Sequence, residues 1–240
     1  SFFIHGIYLS RRLFGVDISK LDDDIGAGLI PSGSALFSYT GISFSLCRKI
    51  IRLVTGKIDM NNQRSVLAYN FAALLENTMS GSAPYAGDYD NDLVDRNIVT
   101  GEFFFLSSFF YWFSASCIER GDFSKIDTVR DKYSVMNNEY GNVFAGVNKY
   151  NMYTLYLMKT RNISEGLQEA DEGIAYVSEK PEFSLWIFYL NSLKAIMYIH
   201  LGDIRAAKNS LGKAAPFASK AKTLPVAYCE YMLAVFLYDL

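Results

Sequence analysis

Apolar residues recur along most of the chain at spacings of three and four, which is typical of amphipathic helices. Runs that alternate between apolar and polar residues and end at hairpin turns, the usual sign of strands, are missing. The pattern therefore predicts an all-α chain of about ten helices, whose ends are marked by capping residues, glycines and prolines. The predicted helices cover residues 2–14, 32–54, 61–79, 92–119, 124–139, 143–159, 164–178, 181–200, 204–219 and 224–239.

A short turn recurs between these helices in the second half of the chain. The hydrophobic residues that follow it, Phe123, Ile163 and Ile204, lie at intervals of about 40 residues, and Gly15 and Gly56 nearer the start are a similar distance apart. A helix pair with two short turns takes about 34 to 47 residues in helical repeat proteins. One such pair cannot bury its apolar face alone, so the spacing predicts that neighbouring pairs stack against one another.

The unit around residues 195–214 carries a recognisable repeat pattern. Small residues, Ala195 and Ala207, stand on its two helices where the helix axes would approach closely, and Gly202 lies in the turn between them. The unit that begins at Phe123 is less regular, because Arg130 stands where a large apolar residue is usual. The pattern resembles tetratricopeptide repeats. The resemblance implies a single repeat domain over residues 1–240, an α-solenoid of antiparallel helix pairs forming a right-handed superhelix. Its repeats are clearer over 91–240 and less regular over 1–90.

Units of about 40 residues are longer than the usual tetratricopeptide repeat of about 34. In this they resemble the C-terminal helical repeats of large bacterial signalling ATPases, including the maltose-regulator-like transcription activators. The chain starts at Ser1 without methionine and ends inside an apolar helical pattern, which predicts a fragment of a longer protein. The resemblance implies that the ATPase module lies elsewhere in that protein. It also implies a protein–protein interaction or regulatory scaffold, whose partner is a protein, a peptide or another domain of the same chain.

The same resemblance suggests where a partner would bind. In tetratricopeptide folds the first helix of each pair lines the concave surface. The residues carried over to that surface are Ser108, Tyr111, Asn148, Asn151, Tyr189 and Ser192. Their polar and aromatic side chains suit hydrogen bonding to an extended peptide. A clamp for a C-terminal carboxylate usually combines asparagine with lysine, and these positions hold the asparagines without the basic residues.

Two other functions remain open. In a small-ligand sensor, grouped aromatics such as Tyr111 with Trp112, or Tyr150 with Tyr153, would stack on a sugar or another ring inside the superhelix. A closed, aromatic-lined pocket would favour that sensor, whereas an open groove would favour the scaffold. In a spacer or dimerisation module, apolar helices at the ends of the chain would pair with a second copy.

Composition narrows the possible partners. The net charge is -2, the pI is near 5.7 and the basic residues are dispersed, so neither direct nucleic-acid binding nor an anionic membrane surface is expected. The cysteines Cys47, Cys117 and Cys229 are far apart and form no paired motif, which predicts a reducing, cytoplasmic setting. The aromatic-rich uncharged run at residues 103–118 is shorter than the roughly 20 residues of a spanning helix.

Short motifs for chemistry are incomplete. The segment Thr55-Gly56-Lys57 is similar to the end of a phosphate-binding loop but lacks the earlier glycine and the following hydroxyl residue. Aspartates at 88, 90 and 92 alternate as in a calcium loop, yet the later glycine and glutamate are missing, so a helix N-cap is favoured. The sequence therefore predicts no catalytic residue, no cofactor and no metal site.

Overall fold

The computed structural model describes residues 90–222 and 225–240, together with isolated residues between 61 and 74. Over these residues the protein contains helices and no strand, which confirms the predicted all-α class for this part of the chain. The helices are α1 (Asn91–Val99), α2 (Phe103–Arg120), α3 (Ile126–Asn138), α4 (Val143–Lys159), α5 (Ile163–Ser178), α6 (Leu185–His200), α7 (Ile204–Ala214), α8 (Ala218–Ala221) and α9 (Pro225–Asp239). The helices predicted at 2–14 and 32–54, and most of that at 61–79, lie outside the described residues.

The prediction of one helix over 92–119 is wrong, because the chain forms α1 and α2 there. The break lies at Gly101, whose φ of 80° is in the left-handed region that glycine adopts without strain. The N–H of Glu102 donates to the carbonyl of Asn97 at 3.0 Å, a hydrogen bond typical of helix C-termini. Apolar residues continue on both sides of this turn, so periodicity alone does not reveal it.

The turn predicted to recur beyond residue 120 does recur. A left-handed residue ends α2, α4 and α6, with φ values of 72°, 65° and 74° at Gly121, Arg161 and Gly202, and these residues follow one another at a nearly constant interval. The next residue closes each turn with an N–H to carbonyl bond of 2.9 Å, from Asp122 to Cys117, from Asn162 to Leu157 and from Asp203 to Tyr198. The same backbone geometry therefore joins the two helices of each pair, and at Arg161 a residue other than glycine adopts it.

The chain divides into two compact units, Ser1–Trp112 and Phe113–Leu240. Within the second unit each helix from α3 to α7 packs against the next, α4 also contacts α6, and α9 packs against α6 and α7. Helix α6 is central to this unit, because every residue from 188 to 197 is buried. Ala195 and Ala207 are fully buried, as the repeat pattern predicted, whereas Ile204 is 48% exposed. The prediction of one domain over residues 1–240 stays a prediction.

Because Gly146 in α4 has no side chain, there is room beside it for a hydrogen bond between α3 and α5. The hydroxyl of Tyr176 donates to Oδ1 of Asn137 at 2.6 Å. A Cβ atom on Gly146 would lie 2.5 Å from each of these oxygens, so no larger residue fits there without displacing the bond. Small residues in this unit thus set how closely neighbouring helices approach, and they fix the position of α5 relative to α3.

None of the helices in the described part of the chain is both long enough and apolar enough to cross a membrane.

Candidate functional site

A groove of about 200 Å³ lies between α3 and α5, above α4. It is called the acidic groove below, and it is lined by Arg130, Tyr153, Leu157, Glu165, Gln168, Glu169 and Glu172. Three of its side chains are carboxylates and one is a guanidinium. The groove is therefore net negative and favours a cationic ligand.

The sides of the groove are held by the bond between Tyr176 and Asn137. These two residues are 39 positions apart, and so are Glu169 and Arg130, which lie seven residues earlier on the same helices. Helices α3 and α5 therefore run in the same direction along the groove. Seven helical residues span about 10 Å. The Tyr176 bond thus braces the two sides about that far from the charged residues, so a ligand would meet a preformed site.

Arg130 lies flat against an aromatic ring. Its Cζ atom is 4.0 Å from the centroid of Tyr153, a cation–π distance. No carboxylate oxygen within the described ranges lies within 4.0 Å of this guanidinium. Tyr153 thus holds Arg130 beside the groove. The charge of Arg130 acts on the carboxylates of the groove from more than 4.0 Å away.

Glu169 has the most unusual environment of the lining residues. It is 9% exposed, and its Oε1 atom is buried without a hydrogen-bond partner. Helix α5 places it there because Gly166, Ala170, Gly173 and Val177, at helical spacing, bury the same side of the helix. A buried carboxyl group without a hydrogen bond is costly, and such groups are uncommon in cores.

Burial raises the pKa of Glu169 above its ordinary value of 4.5. The positive charges of Lys149 and Arg130 oppose that rise, and the neighbouring Glu172 adds to it. Burial thus favours the neutral form of the side chain, and the two cations oppose that effect. A further cation placed against Oε1 would favour the ionised form.

The other two carboxylates are near the opening of the groove. Glu165 and Glu172 are both exposed, and Oε1 of Glu172 accepts a hydrogen bond of 3.0 Å from Nε2 of Gln168. Within residues 90–222 and 225–240 no three His, Cys, Asp or Glu side chains are grouped so as to hold a metal ion. The three glutamates are therefore spread along the groove and offer separate acceptors.

Replacing Glu169 by glutamine tests the effect of the buried carboxyl group on stability. A carboxyl group whose pKa is raised on folding destabilises the folded form as the pH rises from its ordinary pKa through its folded pKa. We expect Glu169→Gln to raise the free energy of unfolding more at neutral pH than well below pH 4.5, where the carboxyl group is neutral in both the folded and unfolded forms. Urea titrations across this pH range would measure the difference.

The matched control is Glu182→Gln, because Glu182 lies on the exposed surface. The two substitutions make the same chemical change, at a buried position in one case and an exposed position in the other. Equal pH dependence of stability in the two variants would contradict the role given to burial.

The six residues predicted to line a concave face are all buried, at 8% exposure or less. Ser108 and Tyr111 belong to the first unit, and the other four belong to α4 and α6 of the second, where these two helices contact each other. The hydroxyl of Ser192 donates to the carbonyl of Phe188 at 2.8 Å, whereas the side-chain amide of Asn151 has no hydrogen-bond partner. Binding by this face stays a prediction, and the acidic groove is a separate candidate.

The two aromatic pairs suggested for a small-ligand sensor differ in how deeply they are buried. Tyr111 and Trp112 are buried and meet edge to face, with their centroids 5.6 Å apart. Tyr150 is half-buried and its centroid lies 5.5 Å from that of Tyr176. Tyr153 is the one that lines the acidic groove, where Arg130 covers a face of its ring.

Asp90 caps the N-terminus of a helix, the role that the sequence predicted for the aspartates in this segment. Its Oδ1 atom accepts N–H bonds from Asp92 at 2.9 Å and from Leu93 at 3.2 Å, which makes it the N-cap of α1.

The sequence predicts no binding site at the groove, although Arg130 stands where a large apolar residue is usual in the repeat. The corresponding signal for Glu169 is a charged residue next to a stripe of glycine, alanine and valine. One polar residue on the buried side of a helix is a weak signal. Two of them on helices that share a groove form a stronger one, because functional sites are where buried polar groups are retained.

No protein-family model, no curated protein and no solved structure matches this chain.

Proposed function

We propose that the chain is a protein-binding scaffold built from stacked helix pairs, arranged as a tetratricopeptide-like solenoid. The observation that carries the proposal is the acidic groove, which is open, charged and held in place by the Tyr176–Asn137 bond. The neighbour-on-neighbour packing of α3 to α7 and the turn that recurs at a nearly constant interval support the repeat architecture.

The size of the groove favours the scaffold over the small-ligand sensor. Sites that enclose a metabolite usually measure about 300 to 1,000 Å³ and are mostly apolar. The acidic groove measures about 200 Å³, and five of its seven lining residues are charged or carry an amide. A groove of this kind suits one side chain of a larger partner, whose remaining contacts lie on the surface outside it.

The setting of the scaffold is part of the same proposal. Repeat intervals of about 40 residues support the resemblance to the C-terminal repeats of bacterial signalling ATPases, so we propose an interaction domain of such a regulator. Cys117 and Cys229 are free thiols, which supports a reducing, cytoplasmic location.

Cross-linking tests the proposal. The purified chain would be incubated with an extract of its native host, and captured proteins would be identified, purified and tested again one at a time by calorimetry. We expect at least one purified protein to bind, with cross-links concentrated on α3, α4 and α5. If no captured protein binds once purified, or if only small metabolites from the extract bind, the scaffold proposal is wrong.

A further inference from the structure

We propose that the acidic groove binds a single basic side chain, lysine or arginine, of a partner protein, with Glu169 as the buried acceptor. The inference rests on the proposed scaffold function and names the chemistry that the groove recognises. Its basis is the geometry of the lining residues, taken in three steps.

The first step is the unpaired acceptor. Oε1 of Glu169 is buried, has no hydrogen-bond partner and belongs to a side chain that lines the groove. Lysine and arginine carry only donors, three on an ammonium and five on a guanidinium, so either satisfies this oxygen, once the carboxyl group turns it toward the groove, without introducing a second acceptor. Hydrogen bonds between such cations and carboxylates are among the strongest in proteins.

The second step is size and shape. A volume of about 200 Å³ exceeds the roughly 30 Å³ occupied by one liquid water several-fold, which is room for a charged head group and part of its stem. Leu157, which is 2% exposed, and the ring of Tyr153 are the apolar members of the lining, so most of the stem would lie outside the groove. Long basic side chains commonly lay their methylene groups along a protein surface while their charge meets a polar group.

The third step is the sign of the charge. An anionic ligand would meet three carboxylates in the groove, and the one cation among the lining residues is already stacked on Tyr153. Glu165 and Glu172, exposed at the opening, would attract a basic side chain and repel an acidic one. The groove therefore selects cations before any close contact forms.

Binding should also depend on pH, because the incoming cation favours the ionised form of Glu169. The charged groups that act on this carboxyl are Lys149 from α4, Arg130 from α3 and Glu172 from α5 itself. Two titratable groups of α4, Tyr150 and Tyr153, also interact with it. Helix α6 also packs against α5, but its Lys194 pairs with Asp171 instead. Since burial raises the pKa of Glu169, the affinity for a cation should increase as the pH rises through that pKa.

The test uses short fluorescein-labelled glycine–serine peptides that carry one central arginine, lysine or citrulline. Citrulline matches arginine in shape but has no charge. We expect the arginine and lysine peptides to bind at low ionic strength, and the citrulline peptide to bind at least about tenfold more weakly in anisotropy titrations. Affinity for the arginine peptide should rise as the pH increases above the ordinary carboxyl pKa of 4.5.

Two variants complete the test. Glu169→Gln should weaken binding of the arginine peptide by about tenfold or more, whereas Glu182→Gln, the same change on the exposed surface, should leave it within about twofold. Circular dichroism would confirm that both variants are folded, and Glu169→Gln is expected to be the more stable one. Equal binding of the citrulline peptide, or unchanged binding by Glu169→Gln, would overturn the inference.

This experiment also separates the inference from the proposed function. A purified protein partner that binds wild type and Glu169→Gln equally would leave the scaffold in place and refute the basic-side-chain site. Binding of the arginine peptide that depends on Glu169, in a chain for which no protein partner is found, would support the cation site and refute the scaffold.

Discussion

Phe188→Ala is expected to lower the free energy of unfolding of the second unit by about 3 to 5 kcal/mol. Phe188 is fully buried in α6, and its ring centroid lies 5.0 Å from that of Tyr231 in α9. Alanine removes the apolar area that the ring buries, leaves a cavity and loses the contact between the two rings. Urea unfolding followed by far-UV circular dichroism would measure the loss.

Phe236→Ala makes the same change in α9 and provides the control. Phe236 is 60% exposed, so its removal should change stability by no more than about 0.5 kcal/mol. The comparison also tests the central place of α6, which packs against α4, α5, α7 and α9. If the two variants lost similar stability, the burial assigned to α6 would be wrong.

Much of this fold follows from the sequence. Helix α4 spans Val143–Lys159, the range that the apolar pattern predicted, and the turns at Gly121, Arg161 and Gly202 recur as the hydrophobic residues after them indicated. These features are local. Periodicity places a helix, and a recurring turn residue ends it, without any information about what packs against the helix.

The parts that the sequence misses depend on tertiary contacts. An apolar pattern that continues through a turn hides the break at Gly101, because one glycine inside a periodic segment is also tolerated within a helix. The burial of Asn148 and Asn151 is a second feature that the sequence does not indicate, whereas binding by their face stays a prediction. Polar residue types predict exposure on average, but the packing of α4 against α5 and α6 decides it here.

The acidic groove also depends on tertiary contacts that the sequence does not reveal. Arg130 stands where a large apolar residue is usual and Glu169 lies next to the apolar stripe of its helix, and each feature alone is compatible with an irregular repeat. Only the structure places both on the same groove, with Tyr153 stacked on the guanidinium and Oε1 of Glu169 left without a partner. The expected gain in stability of Glu169→Gln, together with its expected loss of cation binding, is the trade-off typical of a functional site.

Gly173→Ala is expected to destabilise the second unit even though alanine is the better helix former. A Cβ atom at this position would lie 2.8 Å from Cβ of Tyr150 and 2.9 Å from Cδ1 of Leu190. The Cβ of Tyr150 is fixed close to the backbone of α4, so α4 and α5 would have to separate. Overpacking of this kind costs about 1 to 3 kcal/mol, more than the roughly 1 kcal/mol gained from helix propensity.

Gly212→Ala in α7 isolates the propensity term, because no atom outside its own helix and its chain neighbours lies within 4 Å of a Cβ placed there. This variant should therefore gain about 0.5 to 1 kcal/mol. The two glycine substitutions thus have opposite expected signs, and urea titrations of both would measure the cost of close helix approach directly. If Gly173→Ala were stabilised as much as Gly212→Ala, α5 would not pack as closely on α4 as the structure places it. Because residues of both α4 and α5 line the acidic groove, separating these helices in Gly173→Ala should also weaken binding of the arginine peptide, whereas Gly212→Ala should not.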